Sequence, residues 1–407
     1  MIKMSHTTRM WTIAAMLFFA TMINYADRLT LSVVSRDLRA EFQMNEQDYS
    51  HVVTLFLLAY AIMYAGSGVI VDKLGAKKGF AFFIFGWSLA QMLHAVAIGK
   101  WSLSGARFLL GLCEPGNWPA AVKAVNEWFP PAKRALGVGI FNAGSSLGSA
   151  IAPPLVAGIT LKYGWKAAFV FTGSLGLLWL VAWLFIYETP AGKQTDAIAE
   201  KVDWRKIITS RACYTLLIAR FFTDPVLYFM IFWLPEYLRK ERGYTLSEVG
   251  DYAWVPFIFG DIGYVTGGWL SGVLIERGWE LQRARKFVMY LGAAVLPIAI
   301  LAPHMPSAGL AIAASCAVTL GHAFWVSNLQ ALPADVFKPN EVATASGFTG
   351  MGGAVGGMLA NLGTGYLVMH FSYTPVFLIA GLMHPMSAVI VYFMFRKIKD
   401  ESQLTSG

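Results

Sequence analysis

"EWFPPAKRALGVGIFNAGSSLG", Glu127 to Gly148, lies over "DVFKPNEVATASGFTGMGGAVG", Asp335 to Gly356, without a gap at an offset of 208 residues. The register pairs Phe129 with Phe337, Pro131 with Pro339, Gly139 with Gly347, Gly144 with Gly352 and Gly148 with Gly356. Further on, Gly173 meets Gly381. A second echo joins "GVIVDKLGAKK" (Gly68 to Lys78) to "GVLIERG" (Gly272 to Gly278). The chain is therefore expected to be two repeated halves, residues 1–187 and 211–407, joined by the polar stretch 188–210.

With 407 residues, 56% hydrophobic and 14% charged, the chain is too apolar for a soluble domain of this length. Apolar runs of about 20 residues, enough for a helix to cross roughly 30 Å of hydrocarbon, recur along it. Twelve are expected, near residues 11–34, 49–71, 79–98, 102–125, 135–161, 166–187, 212–238, 248–275, 287–303, 308–332, 342–369 and 374–395. The reading is an all-α membrane protein of twelve transmembrane helices, six to each half. Lys3 and Arg9 ahead of the first run imitate a secretory signal. "NYADR" follows where a small-residue cleavage site would stand, so this helix is read as uncleaved.

The net charge of +8 has its own explanation. With both termini cytoplasmic, the inner segments hold 20 of the 32 Lys and Arg, and the outer loops hold 8, counting Lys166 at the edge of its span. This is the positive-inside bias, and no nucleic acid is implied. Cys113, Cys213 and Cys316 fall in three different helices, which argues against a disulfide or a metal site.

The loop "GVIVDKLGAKK", with its acid and basic turn between the second and third spans, is expected to bridge helix ends. It is similar to the inner-loop signature of the major facilitator superfamily, and the resemblance covers essentially the whole chain. It implies two pseudo-symmetric six-helix halves that expose a site near mid-membrane alternately to each side.

"INYADRLTLSVV", Ile23 to Val34, places Asp27 and Arg28 inside the first span, and Glu114 lies inside the fourth. Each charge at mid-bilayer costs about 2.5–3.5 kcal/mol on the lenient insertion scale, so the three must face one another or a wet cavity. Either acid can pair with Arg28, and two carboxylates for one guanidinium leave one to titrate. Tyr25 and Arg28, three apart, share a face, while Asp27 points about 100° away. The planar guanidinium suits a substrate carboxylate. In "GLCEPGNWPA", Glu114 and Asn117 share a face, and Pro115, Gly116 and Pro119 break the helix. A desolvated carboxylic acid there is suited to carry a proton near neutral pH.

"NYADR" and the Glu of "GLCEPGNWPA" resemble the anion:cation symporter family within that superfamily, which moves organic acids with protons. "FFTDPVLYFMIFWLPEYL" and "ADVFKPNEVATASGFTGMGG" look most like its hexuronate transporter branch. By that resemblance Arg28 clamps the substrate carboxylate, Asp27 and Glu114 couple protons, and Tyr25 and Tyr60 reach sugar-acid oxygens.

A polyhydroxylated acid also needs neutral donors and acceptors. Asn142, Ser145, Ser146 and Ser149 form one stripe on the fifth span, with Asn142 and Ser145 the expected contacts and the small residues serving close packing. In the C-terminal half Glu114 falls on His322 under the 208 offset. His322 either lines the cavity and shares the proton or is hydrogen-bonded between packed helices. Trp325, which either stacks on the sugar or simply packs, Asn328 and, more weakly, Thr349 and Asn361 are the further candidates. Arg220 and Asp224 are expected to pair within the seventh span. Tyr60 and Tyr264 correspond in the repeat, and Asp261 is expected to be paired.

"GSSLG" fits a hydrolase elbow and "GMGGAVGG" a dinucleotide loop, but both lie inside membrane helices and lack the strand context. No enzyme, cofactor or metal is expected, and the proton is the coupling ion. The expected partners are a small organic anion and the lipid bilayer. The expected function is proton-coupled uptake of a sugar acid such as a hexuronate by a monomer in a bacterial inner membrane. Uptake of another carboxylate, or uncoupled facilitation or exchange, is the alternative.

Overall fold

The computed structural model describes residues 5–190 and 203–395. Every regular element among these residues is helical. Twelve principal helices are α1 (His6–Val33), α2 (Glu46–Leu93), α3 (Lys100–Cys113), α4 (Asn117–Trp128), α5 (Arg134–Tyr163), α6 (Trp165–Ile186), α7 (Arg211–Phe232), α8 (Val255–Glu276), α9 (Leu281–Val295), α10 (Ala308–Leu329), α11 (Val342–His370) and α12 (Thr374–Met394). The 48-residue α2 makes two crossings, bent at Gly75, whose φ of 77° only glycine adopts easily. α3 and α4 share one crossing, interrupted by a 3-10 turn at Glu114–Gly116. The described residues thus trace twelve helical segments that match the twelve apolar runs, and eight helices among them are long and apolar enough to cross a membrane. Residues 191–202 of the expected linker lie outside the described residues.

Several helix starts follow from short polar motifs. Asn45 accepts from the backbone N–H of Asp48 at 2.8 Å and opens α2 with a reciprocal capping box. Ser210 caps α7 by accepting from Cys213 at 3.2 Å. Gly164, at φ 81°, lets the chain reverse between α5 and α6.

The chain divides into two compact units. One comprises residues 1–129, 140–204 and 339–347, and the other 130–139, 205–338 and 348–407. The repeated glycines have the same task in each. In the first unit a Cβ at Gly144 or Gly148 would strike the backbone of Phe18 or Met22 on α1. In the second, a Cβ at Gly352 or Gly356 would strike Leu217 or Phe221 on α7. The repeat therefore encodes backbone-to-backbone packing of α5 on α1 and of α11 on α7.

The loop acid bridges helix ends as its position suggests. Asp72 is buried and accepts from the backbone N–H of Ala343 at 3.2 Å and of Thr344 at 2.6 Å, capping the start of α11 within the first unit. Lys123 of α4 closes the arrangement, 2.5 Å from Asp72 and 3.1 Å from the carbonyl of Pro339. In the second unit the acid at the matching end is Asp335, which holds Arg134 at 3.0 Å and Arg285 at 3.0 Å. Glu276, the loop-motif counterpart of Asp72, does not take that position.

Candidate functional site

In the N-terminal unit the charged residues of α1 meet the broken helix. Arg28 holds Glu114 through Nε at 3.0 Å and Nη2 at 2.9 Å, both to Oε2. The Glu114 side chain is fully buried, while that of Arg28 keeps 18% exposure. Its guanidinium is enclosed by aromatic faces, 5.0 Å from the Tyr25 ring, 4.7 Å from Tyr60 and 5.6 Å from Phe56. Such cation–π contacts hold a planar cation without neutralising it. One edge of Glu114, Oε1, has no hydrogen-bond partner.

Of the two acids that compete for Arg28, Glu114 is the one that pairs. Asp27 is fully buried, and neither of its carboxylate oxygens has a partner in hydrogen-bonding geometry. Thr172, Glu114 and Arg107 are the side chains that act on it. Its backbone carbonyl accepts from Gln91, whose amide also donates to Thr172 at 2.9 Å.

Neighbouring polar groups are fixed in turn. Tyr60 accepts from Trp118 Nε1 at 3.0 Å, and Trp118 stands edge-on to Tyr25 at 6.5 Å. Asn117 donates to Thr21 at 3.1 Å and Asn24 to the carbonyl of Glu114 at 3.4 Å. Asn142 on α5 is buried, and the Ser145 and Ser149 hydroxyls donate back to carbonyls of their own helix. The structure thus brings Tyr25, Arg28, Tyr60 and Glu114 into one cluster, with Asp27 and Asn117 around it.

Arg107 is a member that the sequence reading missed. It is 4% exposed, donates from Nη2 to the carbonyl of Arg28 at 2.9 Å, and lies 4.4 Å from the Phe56 ring. Its seven-residue spacing from Glu114, two helical turns, was the available signal.

The C-terminal unit holds a second polar group. His322 on α10 is hydrogen-bonded to His384 on α12, Nδ1 to Nε2, at 3.1 Å. Trp325 is fully buried in an apolar cluster and meets the His384 ring at 5.7 Å, 77° off plane. Asn328 donates to the carbonyls of Gly267 and Phe324, and Thr349 is buried. Arg220 and Asp224 pair at 2.7 Å within α7, as their spacing predicts. Asn361 accepts from Trp233 at 2.7 Å, and Tyr264 is buried in the apolar cluster. The three cysteines are free.

A family model described as Major Facilitator Superfamily matches residues 17–361 and 282–407. The hexuronate transporter of Escherichia coli K12 is 31% identical over 403 residues, covering 94% of this chain and 93% of that protein. The D-galactonate transporter of an E. coli O6:H1 strain is 25% identical over 90% of this chain and 91% of its own length. Among solved structures, the proton:xylose symporter XylE superposes with a TM-score of 0.77 at 14% identity, covering 98% of this chain and 100% of that one.

Proposed function

Because the chain belongs to the major facilitator superfamily and resembles its hexuronate transporters over nearly its whole length, we propose that it takes up a hexuronate with protons by alternating access. It is a multi-pass membrane transporter and not an enzyme. The reading adds a bacterial inner membrane, with both termini cytoplasmic, to that coarser statement.

One observation carries the proposal: Arg28 is occupied by Glu114 while Asp27, one residue away, is buried with neither carboxylate oxygen in hydrogen-bonding geometry. A substrate carboxylate that takes the guanidinium displaces Glu114. Left ionised, Glu114 would then be an uncompensated buried charge, which costs several kcal/mol. A proton on Glu114 removes that cost and frees both donors of Arg28 for a bidentate clamp. Substrate binding and proton binding therefore favour each other, as symport requires. Asp27 supplies a second carboxylate in the same helix turn. Tyr25 and Tyr60, on the faces of the guanidinium, present hydroxyl groups to sugar oxygens.

Purified protein in liposomes tests this reading. Labelled glucuronate is expected to accumulate above equilibrium when the outside is made acidic, and a trapped pH dye to report acid entering with it. Equilibration without proton movement would replace symport with facilitation. No uptake of any sugar acid would reject the substrate class.

A further inference from the structure

Four basic residues, Arg277, Arg283, Arg285 and Lys286, stand within ten positions where α8 gives way to α9 in the second unit. Two of them have internal partners. Arg285 is fully buried on Asp335, Ser271 and the carbonyl of Pro131, and Lys286 donates to the carbonyl of Phe395 just past α12. Arg283 is exposed instead, and its guanidinium lies over the Trp279 ring at 4.9 Å.

The face beneath Arg283 is apolar and uncovered. Phe287, Leu291 and Ala294 follow it at steps of four, four and three residues, which keeps them on one side of the helix, and all three are exposed. Trp279 meets Phe287 at 5.4 Å and so joins the cation to this strip. From Arg283 to Ala294 the helix rises about 16 Å. One leaflet of the hydrocarbon core is about 15 Å deep, so the strip matches the length of one layer of acyl chains.

The charge at the head of the strip is positive. Lys286, three residues on from Arg283, is its neighbour on the helix surface. The acids of the turn are Glu276 and Glu280. Glu280 acts on Lys286, but among the described residues neither acid forms an ion pair with Arg277, Arg283 or Lys286. Three cations against two acids favour a ligand with a net negative charge. A zwitterionic headgroup would bring an ammonium of its own to this end, which the arginines repel.

We propose that the start of α9 binds an anionic glycerophospholipid such as phosphatidylglycerol. Arg283 and Lys286 take its phosphate, the planar guanidinium through two parallel N–H groups. Trp279 lies at the level of the headgroup, where indole rings are favoured. Phe287, Leu291 and Ala294 carry an acyl chain. Clusters of basic side chains at the end of a spanning helix hold anionic headgroups by this chemistry. The site is separate from the Arg28 cluster and does not depend on which solute is carried.

Thermal unfolding of the purified protein in detergent tests this, because a ligand that binds only the folded state raises Tm. Dioleoylphosphatidylglycerol is expected to raise Tm at concentrations at which dioleoylphosphatidylcholine does not, and native mass spectrometry is expected to show the former retained. Arg283→Gln and Trp279→Ala are each expected to weaken its apparent affinity about tenfold. Lys73→Gln, which removes an exposed cation from the first unit, is expected to leave that affinity unchanged.

Equal stabilisation by phosphatidylcholine overturns the proposal. So does an affinity that is the same in the wild type, Arg283→Gln and Trp279→Ala, which would put the lipid elsewhere. A loss in Lys73→Gln as large as that in Arg283→Gln would replace the site with attraction to the whole basic surface. Inorganic phosphate that reproduces the effect of the lipid would replace it with a site for a free anion.

Discussion

Arg107 donates to the backbone carbonyl of Arg28 at 2.9 Å, and the two guanidinium groups lie against the same Phe56 ring, at 4.4 and 5.6 Å. Arg28, the cation proposed to meet the substrate, is thus held at its backbone by a second cation. That second charge also faces both carboxylates, Asp27 and Glu114. In Arg107→Gln two acids face one guanidinium, a field that repels an incoming anion. KM for the sugar acid is expected to rise about tenfold. Arg107→Lys keeps the charge and loses the planar contact with Phe56, so it is expected to fall between the two in uptake kinetics.

Asp72 is the acceptor for Lys123 and for two N–H groups at the start of α11. Asp72→Asn leaves Lys123 as a buried charge without its anion, a defect of about 3–5 kcal/mol. Thermal unfolding in detergent is expected to show a marked fall in Tm for the single variant. Adding Lys123→Met removes the stranded charge and is expected to return part of the loss. A double variant less stable than the single one would mean that the ion pair is not the source.

Gly148 packs where a Cβ would meet the Cα of Met22 and the Cβ of Tyr25, both at 3.0 Å. Gly148→Ala is therefore expected to push α1 away from α5 and to shift Tyr25, which lies beneath the Arg28 guanidinium. Overpacking of this kind costs about 1–3 kcal/mol. Lower Tm together with a raised KM is expected. Gly356→Ala, against Phe221 in the other unit, is expected to match the loss of stability without the same effect on KM.

The fold was legible because its signals are long and repeated. Apolar runs of membrane length, two matched Gly series and a loop acid all survive in a single sequence, and Gly144, Gly148, Gly352 and Gly356 occupy matching contacts. Asp27, Arg28 and Glu114 were legible because a membrane makes a charge inside an apolar run conspicuous. Pairings were harder. Sequence left Asp27 and Glu114 as equal suitors for Arg28, since a helix wheel gives direction but not the position of a neighbouring helix. Arg107 was passed over as one more basic residue among 32. His384 stood alone in an apolar run, and its partner lies 62 residues away. Lys123 has the same character, since its partners at Asp72 and Pro339 are brought together only by tertiary packing.

The direct test of competition between Glu114 and substrate for Arg28 is the proton flux that accompanies sugar acid in liposomes containing Glu114→Gln. The amide cannot ionise, so exchange of internal for external glucuronate is expected to persist while acid-driven accumulation falls to equilibrium. Full accumulation with undiminished proton entry in that variant would contradict it.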